Sequence, residues 1–404
     1  MLSVQEAIDQ ILSRFRPVEQ EIVPLEHAAG RVLAEDILAA IDLPAFDNSS
    51  VDGFALRPED GVAGRTLRVV ADLRAGATLD RPPAPGEAVR IMTGAALPPG
   101  EYAVIMVEDT DFNGRGPETP APTTVTLHKT VTQGENIRRR GSDLKQGELV
   151  IPKGQTLRAQ EVGLLAMLGK SRVNVYRRPR LAMLSSGDEL LSPEQPLVPG
   201  KIHESNSYML TALATKAGAI VIPLGIARDD QAEIRACLDQ AVEAGADVIV
   251  SSAGVSVGAF DYVKSVIESE GRLEFWRVNM RPGKPLAFGN YRGIPFFGLP
   301  GNPVSAFVGF ELFVRPAIER LSGGSPPSRL IRKVRLAEAV ESDGRESYLR
   351  AIVREENGTL MARLAGHQGS GNIFSLVRAN ALLIIPSGVK CVPADSEINA
   401  WFLD

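Results

Sequence analysis

Apolar positions recur at two different spacings along the chain, and the spacing changes where the architecture should change. Near the start, Val4, Ala7, Ile8, Ile11 and Leu12 fall on one helical face, and Ser3 with Glu6 makes a capping box, predicting a helix over 3–15. From about 45 to 140, stretches rich in Pro and Gly (RPPAPGE, ALPPGE, GRGPETPAP) interrupt the short β-type runs LRVV, YAVIMV and TVTLH. That pattern predicts a small, loop-rich β domain. GELVIPKGQTL (147–157) predicts a hairpin, and EVGLLAMLG (161–169) a buried helix stopped by Gly169.

Between 180 and 320 the alternation is regular. Apolar runs at 181–184 (LAML), 219–224 (AIVIPL), 247–252 (DVIVSS) and 294–299 (IPFFGL) predict strands. Helical segments separate them; the clearest is 231–244, with Ile234, Cys237, Leu238, Ala241 and Val242 on one face. Short buried strands alternating with helices predict a parallel sheet covered on both faces, with ligands at the loops beyond the strands' C-terminal ends. SGGSPPS (322–328) marks a linker, and 329–404 carries the strand-like runs KVRLAEAV, YLRAIVR and ALLIIP without a long helix, a second small β domain.

Composition narrows the function. The chain has 404 residues, 44% of them apolar and 23% charged, enough for two to four domains with a sizeable core. A net charge of −5 argues against nonspecific nucleic-acid binding, so any anion site has to be a local cluster. The two cysteines, Cys237 and Cys391, form no CxxC pair, and His27, His128, His203 and His367 are scattered. A bound metal is therefore expected to be a hard cation on carboxylates. MLSVQEAIDQIL lacks the basic and apolar regions of a signal peptide, no stretch approaches the ~20 apolar residues of a membrane span, and a cytoplasmic protein is expected.

Four strand ends in the α/β region supply polar residues. SSGDEL contributes Asp188 and Glu189; GIARDD contributes Asp229 and Asp230, one of them expected to cap the next helix; SSAGVSVGAFDY contributes Ser251, Ser252, Ser256 and Asp261; and GLPGNPVSAF starts a helix near Pro303. Gly-Ser loops leading into helices suit phosphate, whereas the lysine loop of NTPases and the GxGxxG of dinucleotide folds are missing. Carboxylates beside phosphate loops repel the ligand unless a cation intervenes, which makes Glu189, Asp229 and Asp261 candidate Mg²⁺ ligands. Arg281 and Lys284 flank a Pro-Gly turn that fixes both side chains, which suits a small, multiply charged oxyanion; taken alone, such a pair of charges is usually an exposed basic turn. The Arg138-Arg139-Arg140 run, with Asp143 behind it as a neutralising charge, and the polar turn FDNSSVDGFAL read alone as surface and turn chemistry.

Together, FDNSSVDGFA, IMTGAALPPG, NIRRRGSDLKQGE, SSGDEL, GIARDD, SSAGVSVGAFDY, MRPGKPLAFG, GLPGNPVSA and GHQGSG resemble, in order and over essentially the whole chain, the MoeA-type molybdopterin molybdenumtransferases, to which gephyrin's E domain is also similar. The resemblance implies a multidomain α/β plus β fold. Its parts would be a discontinuous linker domain (1–44 and 141–176), an inserted small β domain (45–140), a three-layer α/β molybdopterin-binding domain (177–322) and a C-terminal β-barrel-like domain (329–404). It further implies an elongated homodimer whose site forms between the α/β domain of one subunit and the inserted domain of the other.

The implied reaction inserts molybdenum from molybdate into adenylylated molybdopterin, with Mg²⁺, and releases AMP. Ser185, Ser186, Gly187, Asp188, Ser252, Gly254, Ser256, Gly258, Pro300, Gly301, Asn302 and Pro303 would bind the adenylate and pterin. Arg281, Lys284, Pro285, Ser305, Arg350 and Ser370 would bind molybdate, and Asp52, Thr93 and Asp143 match active-site positions alongside Glu189, Asp229 and Asp261. Transient contact with the adenylyltransferase and other proteins of the cofactor pathway is implied as well. The chain departs from the family pattern at Arg281 (commonly Lys), Ala253 (Gly), Glu204 (Asp) and in GEYAVIM (100–106). Two alternatives stay open at this level: a molybdopterin adenylyltransferase, which resembles the α/β domain alone, and a noncatalytic molybdopterin-binding scaffold.

Overall fold

A computed structural model describes residues 1–79, 81–114, 119–252, 260–324 and 329–403, the side chains of 260, 261 and 276 excepted. These residues group into two compact units, one of Met1–Glu35, Lys153–Val162 and Ser171–Asp404, the other of Asp36–Pro152 and Gly163–Lys170.

In the first unit a six-stranded sheet runs in the order Ile220–Ala227, Arg180–Ser186, Val248–Ser252, Ile294–Leu299, Pro285–Tyr291, Gly271–Arg277. Its first four strands are the four expected ones and are parallel; the last two, outside the predicted set, add to the sheet antiparallel. The antiparallel extension follows from a tight hairpin in which Tyr291 pairs with Ile294 and the two loop residues, Arg292 and Gly293, both have positive φ (46° and 87°). Such a turn matches the right-handed twist of its strands. Alternate residues of Arg180–Ser186 serve opposite faces. Leu181 and Met183 pack into a core with Ile11, Phe15, Leu210 and Phe313, while Ala182 and Leu184 join Ile234, Leu238 and Val266. Helices therefore cover both faces, as expected.

The N-terminal helix is Val4–Leu12, shorter than the predicted 3–15, with its capping box formed. The helix entered at Pro303 continues to Leu321 through a widened turn at Phe310–Val314. Pro316 explains that turn, since it lacks an N–H and its ring would clash with the carbonyl four residues before it.

Beyond the linker, Glu346–Glu356, Thr359–Leu364, Ile331–Leu336, Glu397–Phe402 and Ala381–Ile385 pair in that order, and the last pairs back with the first. The result is a closed five-stranded barrel. Met280–Arg281 adds to it in parallel, Met280 opposite Glu346 and Arg281 opposite Ser347. The turn at 282–284 thus starts at the barrel and ends in the α/β sheet.

The second unit holds a five-stranded sheet, Ala103–Met106, Gly53–Leu56, Glu87–Ile91, Thr66–Leu73 and Thr124–Thr126. The hairpin predicted at 147–157 does not form. Leu149–Ile151 pairs with Ile37–Leu38, and Thr156 bridges to Val32. Distant partners satisfy these backbone groups better than the local turn would.

Candidate active site

The C-terminal ends of the parallel strands open onto a cavity of about 870 Å³ in the first unit. Ser186, Gly187 and Glu189 line it from the first strand end, Ser252 from another, and Pro300, Gly301, Asn302 and Pro303 from the loop after Ile294–Leu299. Arg281, Lys284, Pro285, Ser305, Arg350 and Ser370 line it as well, so residues of the barrel and of the α/β sheet share one wall. The bond from the Val304 N–H to the Ser370 carbonyl (3.0 Å) ties the start of the helix to the barrel loop.

Arg350 dominates the electrostatics. It is fully buried on Glu346–Glu356, its Nε donating to Ser375 Oγ (2.9 Å) and its Nη2 to the carbonyls of Gly369 (2.9 Å) and His367 (3.3 Å). Its Nη1 has no partner. Burial and the nearby charge of Arg281 pull its pKa down to about 10. A buried guanidinium bonded only to neutral groups and facing a second cation is costly unless an anion compensates it. Gln368 brackets it, accepting from the Arg350 N–H (2.9 Å) and donating to the Arg350 carbonyl (3.0 Å). Arg345 also lines the cavity, but it is committed to Asp343 (Nε–Oδ2, 3.0 Å) and to the Met280 carbonyl (3.2 Å).

The loop that follows Ile220–Ala227 is acidic. Asp230 caps Gln231–Glu243, accepting from the N–H groups of Ala232 (2.9 Å) and Glu233 (3.0 Å). This leaves Asp229 free of the cap, with its Oδ1 buried and unpartnered. Burial raises the Asp229 pKa, and the charges of Asp188 and Glu189 raise it further. Glu189 folds back over Gly187, where a Cβ would stand 2.6 Å from its Oε2. Among the described residues no three carboxylates or imidazoles converge as a metal cage. An orphaned carboxylate oxygen amid like charges nevertheless fits a hard cation that takes one or two carboxylates and completes its shell with phosphate and water. The side chain of Asp261, and all of Ala253, Gly254, Ser256 and Gly258, lie outside the described residues.

Not every expected residue faces the cavity. Ser185 turns its hydroxyl to Glu204 Oε1 (3.2 Å), and neither Asp188 nor Asp229 is among the lining residues. Asp52, Thr93 and Asp143 belong to the second unit. There Asp52 Oδ1 accepts from Thr93 N (2.7 Å) and Oγ1 (2.8 Å), bonds that hold its pKa below the usual carboxylate range. Each arginine of the 138–140 run has its own carboxylate: Arg138 with Asp143, Arg139 with Asp47 (2.7 Å) and Arg140 with Asp42 (2.6 Å). Sequence reasoning missed Asn206, Arg345 and Gln368 as cavity residues. Gln368 sits inside GHQGSG, Asn206 stands two residues after Glu204, and Arg345 lies in an ordinary polar turn.

Comparison with known proteins adds the following. Residues 2–169 match the family described as "MoeA N-terminal region (domain I and II)", residues 182–320 the "probable molybdopterin binding domain", and residues 333–403 the "MoeA C-terminal region (domain IV)". The chain is 39% identical to molybdopterin molybdenumtransferase 2 of Mycobacterium tuberculosis, covering 100% of both chains. It is 37% identical to the molybdopterin molybdenumtransferase of Haemophilus influenzae, over 95% of this chain and 94% of that one. The crystal structure of a molybdopterin biosynthesis moeA protein from Pyrococcus horikoshii superposes with a TM-score of 0.82 at 31% identity, covering 100% of both chains.

Proposed function

Because the chain belongs to the MoeA family, we propose that it is a molybdopterin molybdenumtransferase, taking adenylylated molybdopterin and molybdate to AMP and molybdenum-loaded molybdopterin. One observation carries the reading beyond family likeness: the Arg350 guanidinium, buried, short of a partner at Nη1 and set against Arg281 with no carboxylate bonded to it. That is the electrostatic complement of a compact dianion such as molybdate. Lys284, Ser305 and Ser370 supply further donors around the same cavity.

In the reaction the phosphoanhydride P–O bond breaks, water oxygen adding to phosphorus as AMP leaves. The two dithiolene sulfurs replace two molybdate oxygens, which depart as water with the thiol protons and two from solvent. Arg350, Arg281 and Lys284 hold the oxyanion and neutralise it while the sulfurs approach. Ser186, Ser252 and the turn at 300–303 hold the phosphate and pterin of the adenylate. Glu189 and Asp229, with Asp261, would hold Mg²⁺, which when bound polarises the bridging phosphates. Asp52, Thr93 and Asp143 are carried as further active-site positions on family grounds, as are a homodimer, a cytoplasmic location and transient contact with the adenylyltransferase. Among the described residues no helix is long and apolar enough to cross a membrane.

The test incubates the protein with adenylylated molybdopterin and Mg²⁺, with and without molybdate, and quantifies AMP and protein-bound molybdenum. Molybdate-dependent AMP release, lost in Asp229→Asn, is the expected result. An adenylate that binds and stays intact in every mixture would sink the reading.

A further inference from the structure

Arg350 is not the only buried group at the cavity left without a partner. Asn206, at the start of the helix Asn206–Lys216, is 6% exposed and lines the cavity. Its Nδ2 donates to the Gly301 carbonyl (2.7 Å), which fixes the amide orientation, since a carbonyl accepts only from the NH₂ end. The Oδ1 that remains is buried with no partner. The hydroxyls of Ser186 and Ser252, also cavity residues and 1% exposed, are unpartnered too. Glu204, two residues before Asn206, is engaged elsewhere: its carboxylate accepts from the Ser207 N–H (2.8 Å), the Ser207 hydroxyl and the Ser185 hydroxyl.

Each orphaned buried polar atom costs roughly 1–3 kcal/mol, and native proteins rarely keep several on the walls of one cavity unless a ligand completes them. The set has a definite character: one fixed acceptor and two hydroxyls that can donate or accept, all lining the same cavity. This is the complement of a planar heterocycle edge that presents an amino or ring N–H between acceptors. Both heterocycles of the adenylylated substrate, the aminopyrimidinone ring of the pterin and the adenine, carry an amino group. All three residues lie within the segment 182–320 that matches a molybdopterin-binding domain, which favours the pterin.

We propose that Asn206 Oδ1, with the Ser186 and Ser252 hydroxyls, is the subsite that reads the 2-amino/N3–H edge of the pterin and so sets specificity for a 2-aminopterin over its 2-oxo analogue. The assignment rests on the function proposed above but is tested apart from it. Full-length protein is titrated with 6-hydroxymethylpterin by its own fluorescence, with the 2-oxo analogue lacking the amino group, and with AMP. Wild type, Asn206→Leu and Ser252→Ala are compared, and melting temperatures are recorded without ligand.

Expected is a pterin affinity roughly 5- to 100-fold weaker in Asn206→Leu, unchanged AMP affinity, and poor binding of the 2-oxo analogue by wild type. Ser252→Ala should melt no lower than wild type without ligand, because it removes an unsatisfied hydroxyl, and should still bind the pterin more weakly. It thereby keeps the test meaningful if Asn206→Leu fails to fold. Equal pterin binding by both variants overturns the proposal, and so does equal binding of the two analogues by wild type. Loss of AMP binding with pterin binding intact assigns the subsite to adenine and overturns it as well. A wild type that binds pterin through Asn206 yet never releases AMP upholds the subsite while the transferase reading fails. Molybdate-dependent AMP release by a wild type that does not bind the pterin does the reverse.

Discussion

A single side chain, Arg350, carries the proposal that the cavity takes an oxyanion. Its planar fork is divided between jobs: Nε and Nη2 are spent on Ser375, Gly369 and His367, and Nη1 is left over. A lysine at this position would keep the charge but could not reach the serine, the carbonyls and a ligand together. Arg350→Lys should therefore raise the molybdate concentration needed for half-maximal AMP release by roughly 10-fold or more, the scale of one charged hydrogen bond, with a smaller change in the maximal rate. Arg350→Met should raise it further. Millimolar molybdate should raise the melting temperature of the wild type, and Arg350→Met should erase that gain, since only an occupied site stabilises the fold. A lysine variant with an unchanged molybdate requirement would show that the anion sits elsewhere. Arg281 and Lys284 could be singled out from the sequence because they flank a Pro-Gly turn, but Arg350 stands in an unremarkable strand, YLRAIVR, and only the family resemblance pointed to it. Asn206 was passed over for a related reason, because its importance lies in an absent partner, which no spacing encodes.

At the level of elements, the local signals were readable and the long-range ones were not. The capping box of Val4–Leu12 is written in adjacent residues, and it forms: Glu6 N–H donates to Ser3 Oγ (3.2 Å) and Ser3 N–H to Glu6 Oε2 (2.8 Å). Ser3→Ala should cost about 1 kcal/mol, within a usual range of ~0.5–2, read as a lower denaturant midpoint with an unchanged slope. The helix buries Val4, Ala7 and Ile11 in the core beneath the α/β sheet, so its fraying should register in global stability. A midpoint equal to wild type would mean that packing alone holds the helix. Likewise, the 3.6-residue period over 231–244 located Gln231–Glu243, and its cap took Asp230, leaving Asp229 out of the cap. Barrel closure, by contrast, depends on Glu346–Glu356 pairing with Ala381–Ile385, and the failed hairpin at 147–157 lost its arms to residues 32–38. Register between distant strands is fixed by the assembled core, so hydrophobic alternation within each run could not reveal it.

For the molecule as a whole, stability should be bounded on both sides of pH by different carboxylates. On the acid side, Glu87 and Glu161 are held down to about 2, first of all by hydrogen bonds from Arg81 and Arg158. Below an ordinary value of 4.5 the unfolded chain takes up protons at these positions that the folded chain refuses, so stability is lost as pH falls from about 4.5 towards 2. Glu319 acts in the opposite sense. Its side chain is 14% exposed in the helix end Arg315–Leu321, its Oε2 has no partner, and burial raises its pKa to about 7 despite the bond from Arg315 Nε (3.1 Å). Between 4.5 and about 7 the folded chain keeps a proton there that the unfolded chain has released, so stability falls as pH rises through this window. The slope is at most ~1.4 kcal/mol per pH unit, and the total is on the order of 3 kcal/mol. Glu319→Gln, which cannot ionise, should flatten the limb between pH 4.5 and 7 while leaving the acid limb in place. Chemical denaturation of both proteins at half-unit steps from pH 3 to 8 checks this. Parallel curves above pH 4.5 would mean that Arg315 holds Glu319 ionised throughout, and that the alkaline loss of stability, if any, starts from another group.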